Sequence, residues 1–168
     1  GQGTCMPGNM AIGATNDLEY AYENGKVIGS ELAALGINCD LAPDADVNDN
    51  PENPVIGLRS FGADPELVAS MTVSMMNGLQ EEGIISCAKH FPGHGNTSAD
   101  THTKLAVVEK TKEEWEACEE VPFAAAIDHG IDMIMTAHIQ YPNLDDTQAV
   151  SKLTGEQICL PATLSKKI

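Results

Sequence analysis

The chain has 168 residues, 42% of them hydrophobic, which is enough for one domain with a packed core and unlike a disordered sequence. Acidic residues number 25 against 9 basic ones, a net charge of −16, so the surface repels phosphate backbones and anionic lipid. Nucleic acid and membrane are therefore not expected partners, and no apolar run reaches the roughly 18 to 20 residues of a membrane helix.

In chain order, Gly1–Pro7 reads as the interior of a loop in a longer protein, whose own start would carry any export signal. Met10–Ala14 is a candidate strand. Asn16–Leu35 follows as a helix with Leu18, Ala21, Ile28, Leu32 and Leu35 on roughly one face, Asn16 standing ahead of the acidic Asp17 and Glu19 that suit a helix N-terminus. Ile37–Leu41 is a short apolar strand. Asp64–Glu82 carries Leu67, Met71, Met75 and Leu79 at steps of four, with Asp64 as cap and Pro65 in the first turn, and its methionines read as core. Both long helices are expected to pack on a sheet. Ile84–Lys89 and Met133–Thr136 are the next buried strands. Pro122 would interrupt a helix over 112–129, which divides into a short acidic helix and a second one opening near Pro122 and ending before Gly130.

Strand starts at 37, 84 and 133 lie 47 and 49 residues apart, a repeated βα unit with long loops after the strands. The fold class expected is α/β with a parallel sheet. About four units are half of an eight-unit barrel, and both barrels and doubly wound sheets build their sites at the carboxyl ends of strands. The five cysteines, Cys5, Cys39, Cys87, Cys118 and Cys159, are odd in number and form no C-x-x-C pair, so neither a disulfide framework nor a zinc knuckle is indicated. They are expected to be small buried apolar residues.

The chemistry concentrates after the strand at 84–89. Lys89-His90-Phe91-Pro92-Gly93-His94-Gly95-Asn96-Thr97, then Asp100-Thr101-His102, gathers a lysine, three histidines and an aspartate in 14 positions. His90, His94, Asp100 and His102 are all metal-ligand types. Phe91-Pro92-Gly93, however, prevents the helix that would bring His90 and His94 to one face, and Lys89 opposes a nearby divalent ion. No metal or cofactor is therefore expected. Proton transfer suits the residues better: in an extended loop Asp100 and His102 point to one side, so the carboxylate can orient the imidazole and poise it as a general acid and base. The loop after the strand at 37–41 runs through Pro43-Asp44-Ala45-Asp46-Val47-Asn48 to Asn53–Gly62 and contains Arg59, whose fork of donors could clamp hydroxyl or carbonyl oxygens or else pair with an acidic neighbour. His138 reads as a hydrogen-bonded interior histidine, and His129 as a helix-end residue suited to the dipole.

Lys89-His90-Phe91-Pro92-Gly93-His94-Gly95 followed by Asp100-Thr101-His102 resembles the signature of family 3 glycoside hydrolases of the β-N-acetylglucosaminidase (NagZ-like) branch. Pro54–Gly62 and Met135–Ile139 resemble it at matching intervals, and the likeness runs from Met6-Pro7-Gly8-Asn9-Met10 to Ala162-Thr163-Leu164-Ser165. The resemblance implies part of a (β/α)8 barrel that removes terminal β-linked N-acetylglucosamine with retention, from a glycan or muropeptide. It implies His102 as acid/base, Asp100 as its orienting partner, and Arg59, Lys89 and His90 as the sugar grip.

It also implies that residues 1–168 are the central part of the barrel domain, with an upstream Asp and Gly-Gly-x-Val-x-Arg motif before Gly1 and an aspartate nucleophile after Ile168. The fragment alone is then expected to be inactive, and to associate with another copy through uncovered strand edges. Alternative readings are a β-glucosidase or β-xylosidase of the same family, a non-catalytic sugar-binding fragment, and, more remotely, a metal-dependent hydrolase.

Overall fold

The computed structural model describes residues 3–98 and 106–144, together with the backbone of Cys159–Pro161. Its elements are α1 (Asn9–Gly13), α2 (Leu18–Ala34), β1 (Cys39–Asp40), a 3-10 turn (Gly57–Arg59), α3 (Pro65–Glu81), β2 (Ile85–Phe91), β3 (Ala106–Val107), α4 (Lys112–Glu116), α5 (Glu120–Asp128), β4 (Met133–Thr136), β5 (Ile139–Gln140) and β6 (Cys159–Pro161). The three expected strands at 37, 84 and 133 become β1, β2 and β4, which pair in parallel in that order, Cys39 opposite Ile85 and Cys87 opposite Met133. On the far edge of β4, β6 departs from the parallel expectation and pairs antiparallel, with Ile134 opposite Leu160. A separate parallel pair, β3 with β5, lies beyond the carboxyl end of β4.

Met10–Ala14 is not a strand. The amides of Ala11 and Ile12 bond to the Gly8 carbonyl and that of Ala14 to Met10, closing helical turns. A short apolar run reads the same whether it buries as strand or helix. Here Ile12 and Gly13 alone face the core, and a side chain on Gly13 would lie 1.8 Å from the Phe61 carbonyl oxygen.

The two long helices differ in what they bury. In α3, Asp64 caps the Leu67 amide at 2.9 Å, Pro65 opens the first turn, Met71, Met75 and Leu79 are buried as expected, Leu67 is partly buried, and Met76 is buried besides. Met76 joins Ala45, Ala88, Phe123, Ala126, Ile131 and Ile134 in the core between β2, β4, α3 and α5. Helix α2, by contrast, packs mainly on α3 and not on the sheet. The expected face is buried only in part: Ala21 is in the core and Ile28 packs against it, but Leu18 is 45% and Leu35 77% exposed, while Asn24, Gly25 and Gly29 also turn inward. The cause is close backbone approach, since a side chain on Gly25 would sit 2.3 Å from the Met75 carbonyl and one on Gly78 2.2 Å from that of Tyr22. Asp17 caps α2 through the Glu19 amide, and Asn16 takes a left-handed conformation just before it.

Pro122 divides the predicted 112–129 helix as expected: Thr111 and Glu114 form a capping box on α4, and α5 begins two residues before the proline. His129 ends α5 with its Nδ1 2.8 Å from the Ala125 carbonyl, a helix-end role. Of the four cysteines whose side chains are described, only Cys87 is buried as expected, and Cys159 lies outside them. Cys39 and Cys118 are partly exposed and Cys5 is exposed, because they stand on the edge strand, beside the acidic Asp49, and in the segment before α1. No helix among the described residues is long and apolar enough to cross a membrane.

Candidate active site

The chain leaving β1 and the carboxyl end of β2 run side by side, with the Ala45 amide bonded to the Lys89 carbonyl at 2.6 Å and the Lys89 amide to the Pro43 carbonyl at 3.2 Å. The register of β2 against β4 slips here: Lys89 faces Met135 and Phe91 faces Thr136, leaving His90 as the extra residue at a cis Lys89–His90 peptide. Bulges of this kind re-aim a side chain at the rim of a sheet. His90 is carried toward Asp46 and Arg59. Its Nδ1 lies 2.7 Å from Asp46 Oδ2 and its Nε2 lies 3.2 Å from Arg59 Nη2.

A guanidinium only donates, so Nε2 accepts from Arg59 and the ring proton sits on Nδ1, donated to Asp46. Burial holds His90 down to about 4, helped by the Arg59 and Lys89 charges and opposed by Asp44. It is therefore neutral in this tautomer. Asp46 is fully buried, and burial pushes it up to about 6, against the backbone hydrogen bonds from His94 and His90 that favour its charge. The His94 amide donates to Asp46 Oδ1 at 2.6 Å. Asp44 lies beside it, raised well above the ordinary carboxylate range by burial first and by Asp46 second, with Oδ2 3.4 Å from Arg59 Nη2. Lys89 is half-buried, and its charge acts on both Asp40 and His90. Two buried carboxyl groups and a guanidinium thus surround one neutral imidazole, with the Lys89 charge nearby.

Asp44, Asp46 and His90 place three ligand atoms within 4.8 Å of one another, close enough to share a cation. Arg59 supplies that charge, and both nitrogens of His90 are already engaged. His94, also considered as a ligand, has its Nδ1 2.8 Å from the Thr97 hydroxyl. The cluster has the character of a hydroxyl-binding site, with a guanidinium and an ammonium as donors and buried carboxylates as acceptors.

The chain from Pro92 to Thr97 is fixed along its whole length. Trp115 Nε1 donates to the Pro92 carbonyl at 2.7 Å and the Tyr141 hydroxyl to the Gly93 carbonyl at 2.7 Å. Asn53 donates to the carbonyls of His94 and Gly95, and Asn50 to those of Asn96 and Thr97. Gly95 is required because a side chain there would lie 1.8 Å from the Val47 carbonyl oxygen.

Of the residues singled out from sequence, Arg59 and His90 are in contact and Lys89 is adjacent. Asp100 and His102 lie outside the described residues. Arg59 pairs with an acidic neighbour, Asp44, and also meets His90. Of His138, read as a hydrogen-bonded interior histidine, the Nε2 atom is buried with no partner among the described residues. The sequence reading missed Asp44, Asp46, Asn50 and Asn53. A signal was present in Pro43-Asp44-Ala45-Asp46-Val47, where two carboxylates sit in an otherwise apolar run and so must be buried or bonded.

Parallel strands with a charged cluster and long loops at their carboxyl ends make this part of a (β/α)8-type barrel with its site at the mouth. The chain belongs to glycosyl hydrolase family 3, whose N-terminal domain profile matches residues 1–168. It is 43% identical over 171 residues to a beta-hexosaminidase A of Pseudoalteromonas piscicida, an alignment covering 99% of this chain and 28% of that protein. Among solved structures, a family 3 beta-N-acetylglucosaminidase from Paenibacillus sp. str. FPU-7 superposes with a TM-score of 0.86 at 47% identity, over 87% of this chain and 28% of that one. NagZ from Neisseria gonorrhoeae in complex with N-trifluoroacetyl-D-glucosamine superposes with a TM-score of 0.82 at 34% identity, over 88% and 45%. The chain therefore spans less than half the length of these relatives.

Proposed function

We propose that the full-length protein is a retaining glycoside hydrolase that removes terminal β-linked N-acetylglucosamine, with residues 1–168 forming the central part of its catalytic barrel. The observation that carries this reading is the Arg59–His90–Asp46 chain, 3.2 Å and 2.7 Å long in its two links, at the start of the loop that runs on to Asp100 and His102. Arg59, Lys89 and His90 hold the sugar hydroxyls in the pocket beside the scissile bond. The names of the relatives, beta-hexosaminidase and beta-N-acetylglucosaminidase, support the choice of sugar.

In this mechanism a carboxylate from a later strand attacks the anomeric carbon while His102 gives its proton to the departing glycosidic oxygen. Asp100 orients the ring and stabilises the imidazolium beforehand. In the second half His102 takes a proton from water, the water oxygen bonds to the anomeric carbon, and the bond to the enzyme carboxylate breaks.

The test is para-nitrophenol release from the β-N-acetylglucosaminide and the β-glucoside by the full-length protein and its His102→Ala variant. Selective cleavage of the N-acetylglucosaminide, reduced about 100- to 10,000-fold by the substitution, is expected of a lost general acid/base. Preference for the glucoside would instead favour a β-glucosidase of the same family. Indifference to His102 would remove the dyad.

A further inference from the structure

A second charge cluster, in which Glu119 is buried and Asp49 exposed, lies against the Gly93–Asn96 turn. Lys110 Nζ is 2.7 Å from Asp49 Oδ2 and 2.5 Å from Glu119 Oε1. Asp49 belongs to the loop after β1, and Glu119, completely buried, stands at the N-terminus of α5. Asp49, Cys118 and Glu119 place ligand-type atoms within 4.8 Å of one another, and the Lys110 ammonium is the cation among them. Burial works against that charge, but hydrogen bonds to Asp49 and Glu119 outweigh it and hold Lys110 above its ordinary value.

This cluster grips both ends of the turn. Asn96 Nδ2 donates to both oxygens of Asp49, at 3.0 and 3.1 Å. At the other end the Gly93 backbone lies flat on Glu119, where a side chain would come within 2.4 Å of Glu119 Cγ. Between the two grips, His94 presents its amide to Asp46 at 2.6 Å. Nothing in the cluster touches His90 or Arg59 directly.

We propose that Lys110, Asp49 and Glu119 are positioning residues for the sugar grip: the ammonium ties the loop after β1 to α5 and so clamps the Gly93–Asn96 turn whose His94 amide holds Asp46 against His90. The proposal rests on the sugar-binding reading of Arg59, Lys89 and His90. It adds that the geometry of this grip is set through a side chain, Asn96, that the substrate need not touch.

The experiment uses the full-length protein with Asn96→Ala, which cuts only the link to the turn, and Lys110→Met, which breaks the ion pairs. Hydrogen exchange of the 92–97 peptide is expected to speed up about tenfold or more in both, as local opening becomes easier. KM for the N-acetylglucosaminide is expected to rise about threefold in Asn96→Ala and about tenfold in Lys110→Met, with kcat changed less, the pattern of weakened ground-state binding. In a His90→Ala background, either substitution should add little, because residues acting through one contact are not additive. Lys110→Met leaves Glu119 as an unpaired buried carboxylate, so if it does not fold, Asn96→Ala decides alone. Unchanged exchange and KM in folded Asn96→Ala, or losses that multiply with His90→Ala, overturn the proposal. If the parent does not cleave N-acetylglucosaminides, the functional reading fails, while the exchange measurement still tests the clamp.

Discussion

The two ends of β2 carry polar networks four residues apart, the one at the amino end partly exposed and the other buried, and put them to different uses. At the amino end, Asp132 Oδ2 accepts from the Ser86 amide at 2.9 Å, the Ser86 hydroxyl at 3.1 Å and Gln80 Nε2 at 3.0 Å, and Gln80 also reaches the Gly130 carbonyl. The network ties β2, α3 and the segment before β4 into one joint. At the carboxyl end, Asp46 likewise accepts three donors, the amides of His90 and His94 and the His90 ring. The difference is in the surroundings. Around Asp46 burial pushes a carboxylate up and an imidazole down, and a guanidinium and an ammonium stand at the edge. Barrels keep stability at one rim and chemistry at the other, and perturbed groups gather where the chemistry is.

The comparison breaks if substitutions at the two ends act alike. The largest effect is expected from Asp46→Asn in the full-length protein. An amide has one accepting oxygen and one donating nitrogen, whereas Asp46 meets the His94 amide on one oxygen and the His90 ring proton on the other. Whichever way the amide turns, a donor faces a donor, or the His90 proton moves to Nε2 and opposes Arg59. We expect kcat/KM to fall on the order of 100-fold, the scale of losing a charge-assisted contact that orients a binding group. A folded Asp46→Asn variant within threefold of wild type would show that the chain from Asp46 to Arg59 does not matter to catalysis.

Asp132→Ala is expected to do the reverse. It takes an acceptor from the Ser86 amide and hydroxyl, while Gln80 keeps the Gly130 carbonyl, and at this partly exposed site the cost is about 1 kcal/mol in unfolding free energy. KM and kcat of the folded fraction should stay at wild-type values. Denaturant unfolding together with kinetics reads both quantities, and a raised KM would mean that the two ends of the strand are not separate devices.

How much of this was legible beforehand follows the same division. The strands β1, β2 and β4, the methionine core of α3 and the break before Pro122 were visible because apolar periodicity and caps are local signals. The inward face of α2 was visible only at Ala21 and Ile28: Gly25 and Gly29 complete it, and glycines carry no hydrophobic signal though they set how closely helices approach. Arg59, Lys89 and His90 stood out by residue type. Their partner Asp46 was written in the sequence too, between Ala45 and Val47, but nothing local says that it meets a histidine 44 positions later. Likewise Lys110 pairs with Asp49 across 61 positions, a link that only the parallel packing of the loops creates.

The smallest expected effect is also the one that sharpens the comparison most, because it separates charge from stability. Free histidine titrates near 6.5 and His90 at about 4. Folding thus opposes its protonation, and the stability this contributes is complete above about pH 6.5 and lost as pH falls through about 4. Asp46 is displaced the other way, from 3.8 to about 6. Its contribution is complete below about 3.8 and lost as pH rises through about 6. The two slopes oppose each other over nearly the same window, so the pair should leave the unfolding free energy almost flat between them. Ligand binding has no such compensation: below about pH 6 Asp46 takes up a proton, its hold on the His90 ring weakens, and KM should rise while His90 stays neutral. Nitrogen NMR of histidine-labelled protein should find the His90 proton on Nδ1, with no imidazolium above about pH 4. An imidazolium at pH 6 would show that His90, and not Asp46, is the group that titrates at the mouth of the barrel.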